Sequence, residues 1–217
     1  MFELKPDFDE VLGRYEAWWE CEVLDRPLVS MTVPVPEADR VPVPEKEHAT
    51  LRDRWMDTGY VVARAEARLA NTVHAADSLP IAWPNLGPEI FSAFYGCDME
   101  YGESTVWSKP NLADWSDEAV GALRLDRNSL YFRKLIEMTE ALIAAGKGKF
   151  IVGYTDLHGG GDAIAAFRDP QELLIDTIEN PEAIRRLCDR ITDEFLEVYD
   201  EFHELLSGAG MPSTTWC

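Results

Sequence analysis

Residues 149–167 read KFIVGYTDLHGGGDAIAAF. An apolar run, Lys149 to Tyr154, breaks at a polar turn, passes through Gly159, Gly160 and Gly161, and resumes with helical spacing. That is the signature of a buried strand, a tight turn and a helix. The next segment is helical as well. Asp169-Pro170-Gln171-Glu172 combines an N-cap, a proline at the first helical position and an acid three residues past the cap. Asn180-Pro181 signals again, and Ile184, Leu187, Cys188, Ile191, Phe195, Val198, Phe202 and Leu205 form one long apolar stripe up to Gly208-Ala209-Gly210. MPSTTWC, 211–217, then begins as another strand.

Working back toward the N-terminus, 129–145 is strongly helical, with Gly146 as its expected C-cap. CDMEYGESTVWSKP (97–110) reads as a small hairpin or an irregular extended piece, and Ser116-Asp117-Glu118 opens a further helix. Leu79 to Trp83 is a strand ended by Pro84-Asn85-Leu86-Gly87-Pro88. Residues 47–73 and 7–24 have helical spacing, the latter through Phe8, Val11, Leu12, Tyr15, Trp18 and Trp19. Between them, RPLVSMTVPV (26–35) predicts a short buried strand. It leads into VPVPEADRVPVPE, whose prolines forbid helix and favour an extended segment, either a surface excursion or a rim over a site. Helices alternate with four short apolar strands, which predicts a parallel sheet with helical crossovers, either doubly wound or part of a (β/α) barrel. No glycine-rich nucleotide-binding motif is present to favour the former.

Composition narrows the function classes. With 46% hydrophobic and 28% charged residues, the 217-residue chain can bury a core as one domain. Its net charge of −20 repels phosphate backbones and anionic lipid, which excludes nucleic-acid and membrane-surface roles. No apolar run is long enough to span a bilayer. The acidic N-terminus lacks the pattern of a signal peptide, so a cytoplasmic location is expected. Cys21, Cys97, Cys188 and Cys217 fit no zinc module, and Cys21 and Cys188 read as small core residues.

The segment GKFIVGYTDLHGGGDAIAAFRDPQELLIDTIENPEAIRRLCDRITDEFLEVY, with ADSLPIAWPNLG and MEYGESTVW upstream, resembles the uroporphyrinogen decarboxylase superfamily over most of residues 60–217. That superfamily comprises haem-pathway decarboxylases and methyltransferases that act with corrinoid proteins. The resemblance implies a (β/α)8 TIM-type barrel, of which 1–217 would be the N-terminal half, about four strands, incomplete at the C-terminus, since a whole barrel takes roughly 250 residues. The chain departs from the decarboxylase pattern. Arg40 is the sole arginine where the family has an arginine-rich stretch, Asn85 stands in place of an aspartate, and DLHGGGDA replaces a tyrosine. The expectation is therefore a methyltransferase-like enzyme moving a methyl group between a small substrate or corrinoid and a thiol. Any zinc would be bound by residues beyond Cys217, with no metal ligand in this chain and a corrinoid as partner. A decarboxylase for a porphyrinogen or other acid and a non-catalytic binding module are the alternatives, and a homodimer is left open.

In a barrel the loops after the strands form the active face. Asp156 and His158 fit a general acid/base pair or metal ligands, against a turn cap and a packed side chain. Asn85 is the third catalytic candidate. Tyr154, Gly159, Gly160, Trp83, Arg40 and Arg168 are the substrate-binding candidates. Trp107 is a second candidate wall, and Asp162 is expected to cap the helix after the glycines.

Overall fold

The computed structural model describes residues 2–214. The chain is mixed α/β, about half helical, with small sheets. Helix α1 (Phe8–Trp19) is followed by strand β1 (Ser30–Pro34), a 3-10 turn (Glu37–Asp39) and an extended segment. Then come α2 (Leu51–Met56), α3 (Thr58–Ala70), β2 (Thr72–Ala76) and β3 (Ile81–Ala82). Next are α4 (Ile90–Ala93), β4 (Asp98–Tyr101), β5 (Val106–Lys109), α5 (Asp117–Ala122), α6 (Leu130–Gly146), β6 (Ile151–Val152), α7 (Gly160–Arg168), α8 (Pro170–Glu179) and α9 (Pro181–Gly208).

Three two-stranded sheets replace the expected continuous parallel sheet, and no closed barrel occurs among the described residues. Only β3 and β6 pair in parallel, Ile81 opposite Ile151 and Ala82 opposite Val152. The long connection between them carries the β4–β5 hairpin and α4 to α6, as a parallel crossover requires. Beyond β6, the Tyr154 amide donates to the Thr214 carbonyl at 3.3 Å, so the segment after α9 returns beside β6. Residues 215–217, including Cys217, lie outside the described residues.

The first strand is corrected. Instead of joining the parallel pair, β1 pairs antiparallel with β2, Val33 opposite Val73, and is exposed along its length. The spacing of 47–73 predicts helix through Val73. Yet α3 stops at the Asn71 cap and the chain runs on extended to Ala76, which turns it with a φ of 51°. A two-stranded ribbon needs neither a crossover helix nor a second buried face.

The core lies between α4, α6, α7 and α9. Phe91, Phe94, Phe132, Phe167 and Phe202 meet there around Leu135, Met138 and Leu142. Leu187, Ile191, Val198 and Phe202 of the α9 stripe are buried, with Leu206 taking the place expected for Leu205. Asp169 accepts from the amides of Gln171 and Glu172, so the predicted cap of α8 forms. Two other caps differ. Gly146 is the last residue of α6 and is needed for contact, since a Cβ there would meet Phe150 at 2.8 Å, while the left-handed turn falls at Gly148 (φ 72°). Gly159 caps α7, and Asp162 sits within its first turn. Helix α1 ends at Trp19, short of the expected residue 24; Trp18 and Trp19 lie within it but are exposed, and so is Cys21 beyond it.

Gly87 anchors the turn after β3. Its φ is 94°, and a Cβ would lie 2.7 Å from the Val106 Cβ and 2.8 Å from the Val106 carbonyl oxygen. Left-handed strain and overpacking against a strand then add, so Gly87→Ala should destabilise the protein by about 2–4 kcal/mol, read as a lower urea midpoint.

Candidate functional site

The two parallel strands release their loops at one edge. After β3 come Trp83 and Asn85; after β6 come Tyr154, Asp156 and His158. The structure distributes these candidates over two neighbourhoods.

The first is a cleft of about 840 Å³. It opens between α3, the end of β3 and the proline-rich segment, so that segment is a rim. Arg40, Trp83 and Asn85, three of the candidate residues, line it together. The sequence reading missed Arg54, Arg64 and Arg68, which line it too. Four arginines face one acid, Glu103. Over the whole chain acids outnumber Lys and Arg 40 to 20, so the cleft inverts the electrostatic character of the molecule.

The arginines are held in different ways. Arg54 donates to Glu103 Oε2 at 2.8 Å and to its carbonyl at 2.5 Å. Arg40 donates Nε to the Val35 carbonyl at 2.7 Å. Arg64 lies 5.5 Å from the Tyr60 ring centroid and donates to the hydroxyl of the same Tyr60 at 3.2 Å. Arg68 lies over the Trp83 ring at 5.8 Å. No carboxylate among the described residues pairs with Arg64 or Arg68. Desolvation by the cleft walls, and then the Arg64 charge, hold the Arg68 pKa below its ordinary value. Aromatic faces therefore orient two guanidinium forks whose charge no carboxylate among the described residues neutralises. Trp55, Val61 and Ala65 supply apolar wall. Asn85 Oδ1 accepts from the Gly87 amide at 2.9 Å and so shapes the turn.

The second neighbourhood is the loop after β6. His158 Nε2 lies 2.8 Å from Asp156 Oδ1, and its Nδ1 lies 3.8 Å from Asp162 Oδ2. Asp156 is 19% exposed and His158 34%, so the pair is solvent-accessible yet oriented. That geometry suits a proton donor or acceptor. Gly160 takes the left-handed turn (φ 55°), while a Cβ on Gly159 would meet the Phe195 ring at 2.7 Å. The close approach Gly159 allows is thus to α9. Tyr154 is buried, stacks on Tyr199 at 4.5 Å and bonds through its hydroxyl to His203 Nδ1 at 2.5 Å. Burial and Tyr199 push its pKa up to about 12.

Arg168 is elsewhere. Its Nε donates to Asp176 at 2.7 Å and Nη1 to the Ala113 carbonyl at 2.7 Å, which ties α7 to α8 and to the segment before α5. Trp107 on β5 is half exposed and covers Gly102, and Trp55 takes the wall position it was expected to fill. No group of three or more His, Cys, Asp or Glu among the described residues is arranged to hold a metal. No helix among them is long and apolar enough to cross a membrane.

Arg64 and Arg68 had one legible signal. They sit four residues apart on one predicted helical face with no acid at a matching spacing between them and Asn71, apart from Glu66 on another face.

Comparison with protein-family models, curated proteins and solved structures finds no match for this chain.

Proposed function

We propose that this chain is the N-terminal part of a (β/α)-barrel enzyme of the kind the uroporphyrinogen decarboxylase resemblance implies, acting on a small organic acid. The observation that carries the reading is the arginine cleft. Its composition favours the decarboxylase alternative over methyl transfer, because the cationic groups that the sequence reading found lacking are supplied by α2 and α3. The parallel β3–β6 pair and the return of the chain at Thr214 support the barrel part of the reading.

In this mechanism Arg64 and Arg68 bind carboxylates that do not react, and that binding energy positions the reacting carbon. The bond between that carbon and the departing carboxylate breaks, and the electron pair stays on carbon. A proton from solvent reaches the carbon as carbon dioxide leaves; the His158–Asp156 pair, which does not line the cleft, takes no assigned part in that step. The zinc and corrinoid implied by the methyltransferase expectation fall to residues or partners outside this chain.

The test incubates the protein with citrate, and separately with a reduced tetracarboxylate porphyrin, and follows binding by calorimetry and carbon dioxide by a coupled assay. Binding and carbon dioxide release both lost in the Arg64→Ala/Arg68→Ala variant is the expected pattern. Acid binding without turnover leaves the binding-module alternative standing in place of catalysis. Absence of acid binding overturns the reading.

A further inference from the structure

The rim of the cleft, residues 41–48, has no regular secondary structure, yet it is fastened at both ends. At one end the Val41 amide donates to Asn71 Oδ1 at 2.8 Å, and Asn71 Nδ2 donates back to the Val41 carbonyl at 2.9 Å. At the other end Asp57 Oδ2 accepts from Lys46 and lies 3.1 Å from His48 Nε2. His48 is 8% exposed and packs on Tyr60 at 4.8 Å between ring centroids.

Both fastening residues belong to one helix. Asp57 is the N-cap of α3 and also accepts from the Tyr60 amide; Asn71 is its C-cap. The rim therefore runs antiparallel to α3 from cap to cap. With its caps, the 13-residue α3 spans about 21 Å at 1.5 Å per residue. Val41 to His48 in polyproline conformation spans about 22 Å at 3.1 Å per residue. Pro42 and Pro44 fix φ in that conformation. In that conformation the rim matches the length of the helix it lies along.

We infer that this strap is a gauge: a taut wall, held by Asn71 and Asp57, that sets the width of the cleft opposite Arg64 and Arg68 and so selects the length of the acid it accepts. The inference rests on the acidic-ligand reading for what is selected. That the wall is taut stands on geometry alone. Val43 of the strap and Arg40 just before it line the cleft. A ligand spanning from them to α3 meets two walls whose separation is fixed before it binds, and such preorganisation converts a length mismatch into lost affinity. Asn71 and Asp57 are positioning residues.

The experiment titrates linear α,ω-dicarboxylates of increasing chain length into four proteins: wild type, Pro42→Gly/Pro44→Gly, Asn71→Ala and Asp57→Ser. The serine keeps an N-cap acceptor for α3 while removing the carboxylate that holds Lys46 and His48. In the wild type one chain length should be preferred by roughly 10-fold over its neighbours, and in each loosened variant by less than about 3-fold. Trypsin cleavage after Lys46 gives a readout without ligand, expected at least about 10-fold faster in the loosened variants. Selectivity unchanged on loosening, with binding still dependent on Arg64 and Arg68, overturns the gauge and leaves the acidic-ligand reading intact. No dicarboxylate binding in the wild type, with Lys46 resistant only there, overturns the acid selection and upholds the taut wall. Equal cleavage rates in wild type and variants overturn the wall itself.

Discussion

Replacing Asp77 with alanine should destabilise the protein by about 3 kcal/mol, visible as a lower urea midpoint at an unchanged slope. Asp77 is 0% exposed. Its Oδ1 accepts from Arg26 Nη2 at 3.0 Å and from Arg14 Nη1 at 3.4 Å. Its Oδ2 accepts from the Val29 amide at 2.9 Å and from Arg26 Nη1. One carboxylate thus joins α1, the segment entering β1 and the turn leaving β2, and the Tyr15 hydroxyl reinforces the joint by donating to the Asp77 carbonyl at 3.1 Å. Alanine leaves the Val29 amide and the Arg26 guanidinium without that acceptor. The cost sits at the low end for a buried pair, because Arg26 is 36% exposed and Arg14 keeps Glu10 and Asp25 as partners. The same group sets a pH window. Hydrogen bonding to Arg26, working against desolvation, lowers the Asp77 pKa from 3.8 to about 2. A depressed carboxylate stabilises the fold above its unfolded pKa and loses that contribution as pH falls toward the folded value. The stability gap between wild type and Asp77→Asn should therefore be full at pH 5 and close between about pH 4 and pH 2. A gap that stays constant over that range would show that the charge is not what holds the joint.

Removing Arg64 and Arg68 together should act in the opposite sense: a large loss of binding at almost no cost in stability. A charge-assisted hydrogen bond contributes about 1.5–3 kcal/mol, so losing two lowers the affinity for citrate by roughly two to four orders of magnitude. Neither arginine pairs with a carboxylate among the described residues, and the two like charges lie one helical turn apart on α3. Their removal relieves repulsion, and the melting temperature should hold or rise slightly. The contrast with Asp77, whose ions are all partnered, is what a ligand-binding role for Arg64 and Arg68 would require. Unchanged citrate affinity in the double variant, measured by calorimetry, would assign the cleft charge to no anion of this kind. Because Arg68 packs on Trp83, Arg68→Met is a useful companion, since it preserves packing while removing the charge.

Much of the architecture is local and was legible. The cap at Asp169-Pro170, the apolar stripe of α9, the hairpin at 98–109 and the strand–turn–helix around Gly160 come from periodicities and capping chemistry acting within a few residues. Long-range pairing was not legible in the same way. Thr72–Ala76 is short, and only its pairing with β1 about forty residues away makes it a strand. Trp18 and Trp19 fit a helical stripe, but no other element packs against them to bury it.

The candidate site divides along the same line. By itself the sequence determined that the proline-rich segment is extended on either side of the 3-10 turn Glu37–Asp39, that Asp156 and His158 precede a glycine turn, and that Arg40, Trp83 and Asn85 lie outside the regular elements. Proline sterics, glycine freedom and side-chain chemistry are properties of single residues. Tertiary structure alone decided that Arg168 braces α8, that Tyr154 is enclosed by Tyr199 and His203, and that Arg64 and Arg68 of α3 line one cleft with Arg40, beside a segment fastened to both caps of that helix. Those facts depend on where separate elements come to rest against one another, which is set by the packing of the whole core.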